Sequence, residues 1–235
     1  MVWCDFGGVL SPPVDEAFAR LASAAGVPVQ DLAAAARAVA AAMGLDGVAA
    51  PLERGVLSQR EWGRRVTAAL APRWHPLIDL GRFGDHFYTG RVLNTALLDH
   101  LTSLRECGVR LGLLTNSVKE WEPHRAAMFA AAGRSDAVFD AVLRSHEVGV
   151  AKPDEAMFAL AEAVFGTPPG QCVLIDDVTD NCEAARRRGW TALPHTTTEQ
   201  TVAAVGRLLP VPAAGPGSLE RKRYILRPRQ GRPRS

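Results

Sequence analysis

From Val92 to Leu209 the chain alternates helix-forming stretches of roughly ten residues with short apolar runs, and this rhythm restricts it to a parallel sheet covered on both faces. Helices are expected over 95–107, 121–132, 154–165 and 181–188, each closed by a glycine: Gly108, Gly133, Gly166 and Gly189. Strands are expected over 110–114, 137–143, 172–175 and 190–193, and Thr196 to Glu199 caps a last helix that runs to Leu209. A further strand opens the chain, where Val2-Trp3-Cys4 delivers Asp5 and the glycines Gly7 and Gly8 turn the backbone sharply away.

The stretch from Val14 to Tyr88 has a different character. After the turn Ser11-Pro12-Pro13 it shows a helix over 15–25 with Phe18, Leu21 and Ala22 on one side, and an alanine-rich helix over 32–43 that Asp31 can cap. Ser58 and Glu61 have capping-box spacing, ahead of an apolar face of Trp62, Val66 and Leu70. No strand pattern interrupts these helices. The expected organisation is an α/β core over 1–13 and 89–209, a helical insert over 14–88 and a separate tail over 210–235.

Three later segments repeat the ending of the first strand or add to it. Leu111 to Leu114 runs into Thr115, Asn116 and Ser117; Lys152-Pro153 stands just before a helix; and Cys172 to Ile175 runs into Asp176 and Asp177. A carboxylate, a hydroxyl, an ammonium and a carboxylate pair then meet at one rim of the sheet, where open α/β folds keep their chemistry. Each segment alone reads equally as a turn or a helix cap, with Asp180 and Asn181 available to cap the last of them. Taken in order, the four segments resemble the motifs of the haloacid dehalogenase (HAD) superfamily, over Met1 to about Leu209.

The resemblance implies a Rossmann-like parallel sheet with an all-helical cap inserted after the first motif. It also implies a Mg²⁺-dependent phosphatase of small phosphorylated metabolites, working through an aspartyl-phosphate on Asp5. The Mg²⁺ ligands would be the Asp5 carboxylate, the Gly7 carbonyl and Asp177, with Asp176 in support. Lys152 would neutralise Asp5 and the phosphoryl oxygens, to which Thr115 and Asn116 would donate hydrogen bonds. Most phosphatase members carry a second aspartate two residues after the nucleophile, and here that position is Gly7. A carbonyl ligand survives that change, whereas general acid–base help, worth about a hundred- to ten-thousand-fold, does not.

Three outcomes follow from Gly7: substrates with good leaving groups, such as sugar-1-phosphates or acyl phosphates; a stand-in such as Asp15 or Glu16 from the insert; or a weak relative that binds phosphate or a partner. The dehalogenase branch is the enzymatic rival, but it typically replaces the late acidic pair with uncharged residues. Adjacent carboxylates beside a carboxylate nucleophile make electrostatic sense only around a cation.

Composition bounds the remaining possibilities. At 235 residues and 47% hydrophobic the chain can bury a sizeable core. Cys4, Cys107, Cys172 and Cys182 lack metal-ligand spacing, no apolar run reaches the roughly 20 residues of a membrane span, and a reduced cytoplasmic setting is the default expectation. The six histidines show no ligand spacing and are assigned to surface or loop roles. From Leu219 onward seven basic residues face one acid, Glu220; a solvated, disordered tail is expected, with weak nucleic-acid or anionic-surface binding as the rival reading.

Overall fold

The computed structural model describes residues 1–209, and the tail over 210–235 lies outside the described residues. Five parallel strands form one sheet: β1 (Val2–Cys4), β2 (Leu111–Thr115), β3 (Ala141–Arg144), β4 (Val173–Asp176) and β5 (Thr191–Pro194), in the order β3-β2-β1-β4-β5. The fold is the expected Rossmann-like α/β sheet. The chain leaves β1 to one side for β2 and β3 and then crosses to the other for β4 and β5, so a crevice opens beyond the C-terminal ends of β1 and β4.

Alternation along each strand sends successive side chains to opposite faces. Val2, Cys4, Leu111, Leu113, Val173 and Ile175 pack under α6 (Thr95–Glu106), α7 (Glu122–Ala131) and α11 (Thr198–Leu208). Trp3, Leu114, Leu143 and Leu174 pack on the other face against α9 (Glu155–Phe165) and α10 (Thr179–Arg187). Trp3 lies flat across Gly112, where a Cβ would stand 2.3 Å from its ring. That contact explains a glycine in the middle of a central strand.

Between β1 and α6 the chain forms α1 (Val14–Ala25), α2 (Val29–Ala41), α3 (Ala50–Glu53), α4 (Gln59–Ala69) and α5 (Phe83–Tyr88), which share an apolar cluster of their own. Leu21, Leu32, Leu52, Trp62, Val66 and Phe83 are among its buried members, with the Trp62 and Phe83 rings 4.7 Å apart. Ser58 caps α4 as expected, its hydroxyl accepting from the Glu61 amide at 3.2 Å. No helix among the described residues is long and apolar enough to cross a membrane.

Three expectations need correction. Asp31 does not cap α2: Pro28 precedes the helix, and Asp31 sits in its first turn, where negative charge still suits the helix dipole. The run 137–143 is not one strand. Asp140 breaks it, because its carboxylate accepts from the Leu111 amide and from Arg105, both at 2.9 Å, turning the chain into β3. His146 is not in a loop but in α8 (Ser145–Val148), bonded to Ser117. Helices α3, α5 and α8 were missed because four to six residues are too few to show a 3.6-residue period.

Candidate active site

Register brings the site together. Cys4 pairs with Leu113 on one side and Ile175 on the other, and the Asp5 amide donates to the Ile175 carbonyl at 2.9 Å. Asp5 therefore leaves the sheet between the ends that carry Thr115 and Asp176. Gly8 then allows the tight approach of Asp177: φ is +74°, and a Cβ on Gly8 would lie 1.8 Å from an Asp177 oxygen. Only a residue without a side chain fits under that carboxylate.

Lys152 is the cation at the centre. Its Nζ lies 2.9 Å from Asp5 Oδ1 and 2.6 Å from Asp176 Oδ2, with no side-chain exposure. The main chain of Lys152 is gripped by Asn116, whose Nδ2 donates to the Lys152 carbonyl at 2.9 Å while its Oδ1 accepts from the Lys152 amide at 2.8 Å. Asn116 thus places the lysine with its Oδ1 and one of its two amide N–H groups. Thr115 is buried beside it, its hydroxyl making only a long 3.3 Å contact to the Asn116 carbonyl. Asp176 Oδ1 accepts from the Val178 amide at 2.9 Å and from Asn181 Nδ2 at 3.0 Å, so Asp176 itself anchors the start of α10. No side chain of Asp180 or Asn181 caps that helix.

Asp5, Asp176 and Asp177 offer oxygens that all lie within 4.8 Å of one another. Burial pushes Asp5 up to about 7, Asp176 and Asp177 adding to the shift and Lys152 opposing it. Burial and then Asp176 likewise raise Asp177. Burial works against the charge on Lys152, yet Asp176 and Asp5 together hold it above the ordinary lysine range. One ammonium faces three carboxylates, and Asp177 Oδ1 is buried without a hydrogen-bond partner among the described residues. Oxygen donors, an orphaned lone pair and excess negative charge are what a hard divalent cation satisfies, so the residues fit Mg²⁺.

A pH dependence follows. A carboxyl whose folded pKa is raised stabilises the fold below its unfolded value, near 4, and loses that contribution as pH rises through its folded value. Metal-free protein is therefore expected to lose a few kcal/mol between about pH 4 and pH 7 and then level off. Added Mg²⁺, which competes with the proton, should raise Tm more at pH 8 than at pH 5.5. Thermal unfolding with MgCl₂ or EDTA checks this, and an Mg²⁺ response independent of pH would count against it.

Gly7 leaves no acid above Asp5. Val14 Cγ2 would stand 2.9 Å from a Cβ there, so the first turn of α1 fills part of the space. Beside it is a cavity of about 30 Å³ lined in part by Gly7, Val14, Tyr88, Arg91 and Thr115. That is room for roughly two waters. Asp15 and Glu16, the expected stand-ins, are exposed, and Glu16 lies 3.8 Å from Arg20. Sequence reasoning missed two links around the site: Ser117 Oγ with His146 Nδ1 at 2.9 Å, and the fork of Arg54 on Asp154 at 2.6 and 3.0 Å. Both join residues far apart in the chain, and no spacing signals them.

The haloacid dehalogenase-like hydrolase family matches residues 2–189. A phosphoserine phosphatase from Thermus thermophilus is 35% identical over 77 residues, a stretch that is 33% of this chain and only 29% of that protein. Among solved structures, a predicted HAD-like family hydrolase from Porphyromonas gingivalis superposes with a TM-score of 0.68 at 24% identity, over 88% of this chain and 96% of its own. A HAD family enzyme from Bacteroides thetaiotaomicron, in complex with magnesium and inorganic phosphate, gives 0.62 at 20% identity, over 83% and 93%. An L-2-haloacid dehalogenase from Xanthobacter autotrophicus with chloropropionic acid covalently bound shares the fold at 0.56 and 17% identity, over 92% and 84%. Motif order, strand order and a family match spanning both halves of the sheet agree: the chain belongs to the haloacid dehalogenase-like hydrolases.

Proposed function

We propose that the protein is a Mg²⁺-dependent phosphatase of small phosphorylated metabolites, with Asp5 as nucleophile and helices α1 to α5 as the cap over the site. The observation that carries this reading is the buried acidic trio Asp5, Asp176 and Asp177 around a single lysine, with Asp177 Oδ1 unpartnered. Attack on carbon by the dehalogenase route requires one carboxylate; it gives no reason to bury two more beside it.

In this reading Asp5 attacks phosphorus and splits hydrolysis into two displacements. Asp5, Asp177 and the Gly7 carbonyl would hold Mg²⁺, which would supply the charge that lets two anions approach each other. Lys152 stays protonated and neutralises charge on Asp5 and the transferring group. Asn116 fixes the lysine, Asp176 orients its ammonium, and the Thr115 hydroxyl is free to turn toward a phosphoryl oxygen. The phosphoserine phosphatase relative and the magnesium–phosphate complex of a fold neighbour support the same chemistry.

A panel of phosphate monoesters and acyl phosphates, assayed with Mg²⁺ or EDTA, tests it. Wild type is expected to release phosphate only with Mg²⁺, and Asp5→Asn to lose about ten-thousand-fold or more in kcat. Phosphate release that persists in Asp5→Asn would remove the nucleophile. Chloride release from 2-haloacids without metal would establish the dehalogenase, and no turnover of either class would leave a binding relative.

A further inference from the structure

We propose that the cavity beside Gly7 is a carboxylate subsite, which makes the substrates phosphate monoesters of small hydroxy acids. The inference rests on the phosphatase reading and deepens it by naming the group that the leaving alcohol carries. Gly7 and Thr115 line the cavity from the site itself, Tyr88 and Arg91 line it from the end of α5 and just beyond, and Glu122 and Arg125 line it from α7. Two arginines thus border the space next to the residues assigned to the metal and the phosphoryl oxygens.

Both arginines are more than nine-tenths buried. Arg91 donates from Nη1 to the Pro13 carbonyl at 3.0 Å, and from Nη2 to Ser11 Oγ at 2.9 Å and to the Pro12 carbonyl. These acceptors are neutral. Arg91 forms no ion pair with the described residues, and its Nε is buried with no partner among them. Arg125 donates from Nη2 to Glu122 and makes no other hydrogen bond with the described residues. Glu122 is the one acid that lines the cavity, and Arg125 shares it with Arg144, whose Nε lies 2.7 Å from the same carboxylate. Positive charge is therefore in surplus around a space closed off from water, an arrangement that costs free energy until a counter-charge enters. The Tyr88 hydroxyl, also without a partner among the described residues, adds a neutral donor.

A carboxylate answers each of these features. It accepts hydrogen bonds and donates none, it carries the missing charge, and its two oxygens suit the fork of a guanidinium. At about 30 Å³ the cavity has the room of roughly two waters, enough for the two oxygens of a carboxylate and too little for a second phosphate. Lys152 does not serve this group, because Asp5 and Asp176 hold its ammonium. Gly7 and Thr115 border both places, so a phosphoryl group at Asp5 and a carboxylate in the cavity belong to one small molecule.

The test uses the full chain with Mg²⁺ and two probes, 3-phosphoglycerate and glycerol-1-phosphate, which differ by a carboxylate in place of a hydroxymethyl group. Wild type should prefer the acid by about a hundredfold in kcat/KM, the effect of one or two charge-assisted hydrogen bonds. Arg125→Met should bring that ratio to within about threefold of one. Arg125→Lys keeps the charge but not the fork and should hold about tenfold. A wild-type ratio near one, or a hundredfold preference that survives in Arg125→Met, would overturn the subsite and leave the phosphatase reading standing. Melting in EDTA reads the same cavity without turnover or metal: glycerate should raise the Tm of wild type beyond the effect of equal sodium chloride, and should not do so in Arg125→Met. An equal response in the two proteins would overturn the subsite as well. If wild type hydrolyses neither ester, or Asp5→Asn retains activity, the phosphatase reading fails on its own, and the glycerate melt still decides whether the cavity takes a carboxylate.

Discussion

Lys152→Met is expected to abolish turnover and to destabilise the metal-free protein by about 3–5 kcal/mol at pH 8, the cost of leaving buried carboxylates without their cation. Lys152 Nζ is shared between Asp5 and Asp176, and Asp176 is wholly buried, so no water can replace the ammonium without opening the site. Asp176 cannot turn away, because its other oxygen already accepts from Val178 and Asn181. The acids can escape only by taking up protons. The penalty should therefore be smaller at pH 5.5, where Asp5, already raised to about 7, is neutral at little cost. Urea unfolding in EDTA at the two pH values measures both the loss and its slope. Adding Asp176→Asn to Lys152→Met removes one orphaned charge while keeping an acceptor for Val178, and should recover part of the stability but none of the activity. A single substitution that costs the same at both pH values would mean packing, not charge, is what Lys152 provides.

Much of this was legible in the sequence, for identifiable reasons. Parallel strands buried on both faces read as continuous apolar runs, so Leu111 to Leu114 and Cys172 to Ile175 marked β2 and β4 to within a residue, and each ended on the polar group that the register delivers to the rim. The insert was legible as helices because α1, α2 and α4 are long enough to repeat a period. What stayed hidden were pairings that local pattern does not encode. Asn116 has the same composition signal whether it donates to a ligand or grips Lys152, and only the strand register placed it against that main chain. Arg54 follows a four-residue helix with no motif around it, and only the fold brings it to Asp154, a hundred residues away in the chain.

Gly8→Ala should strip Mg²⁺ binding from a protein that still folds, and it separates backbone strain from steric displacement. An alanine at φ +74° costs about 1–2 kcal/mol for the left-handed conformation alone. The same cost applies to Gly133→Ala, whose φ is +63° but whose Cβ would meet nothing within 4 Å. At Gly8 the new methyl would lie 1.8 Å from Asp177 Oδ2 and 2.2 Å from its Cγ, so the carboxylate must move. Asp177 is held by little besides its position at the start of the turn, with Oδ1 unpartnered, and it yields more readily than the sheet. Both variants should thus lose similar stability in EDTA, while only Gly8→Ala loses the Mg²⁺-induced rise in Tm. Calorimetric titration of Mg²⁺ should show Gly133→Ala binding as wild type does and Gly8→Ala weakened by about a hundredfold, the effect expected when one carboxylate ligand is misplaced. Wild-type affinity in Gly8→Ala would mean that Asp177 does not hold the ion, and the acidic trio would then need another explanation.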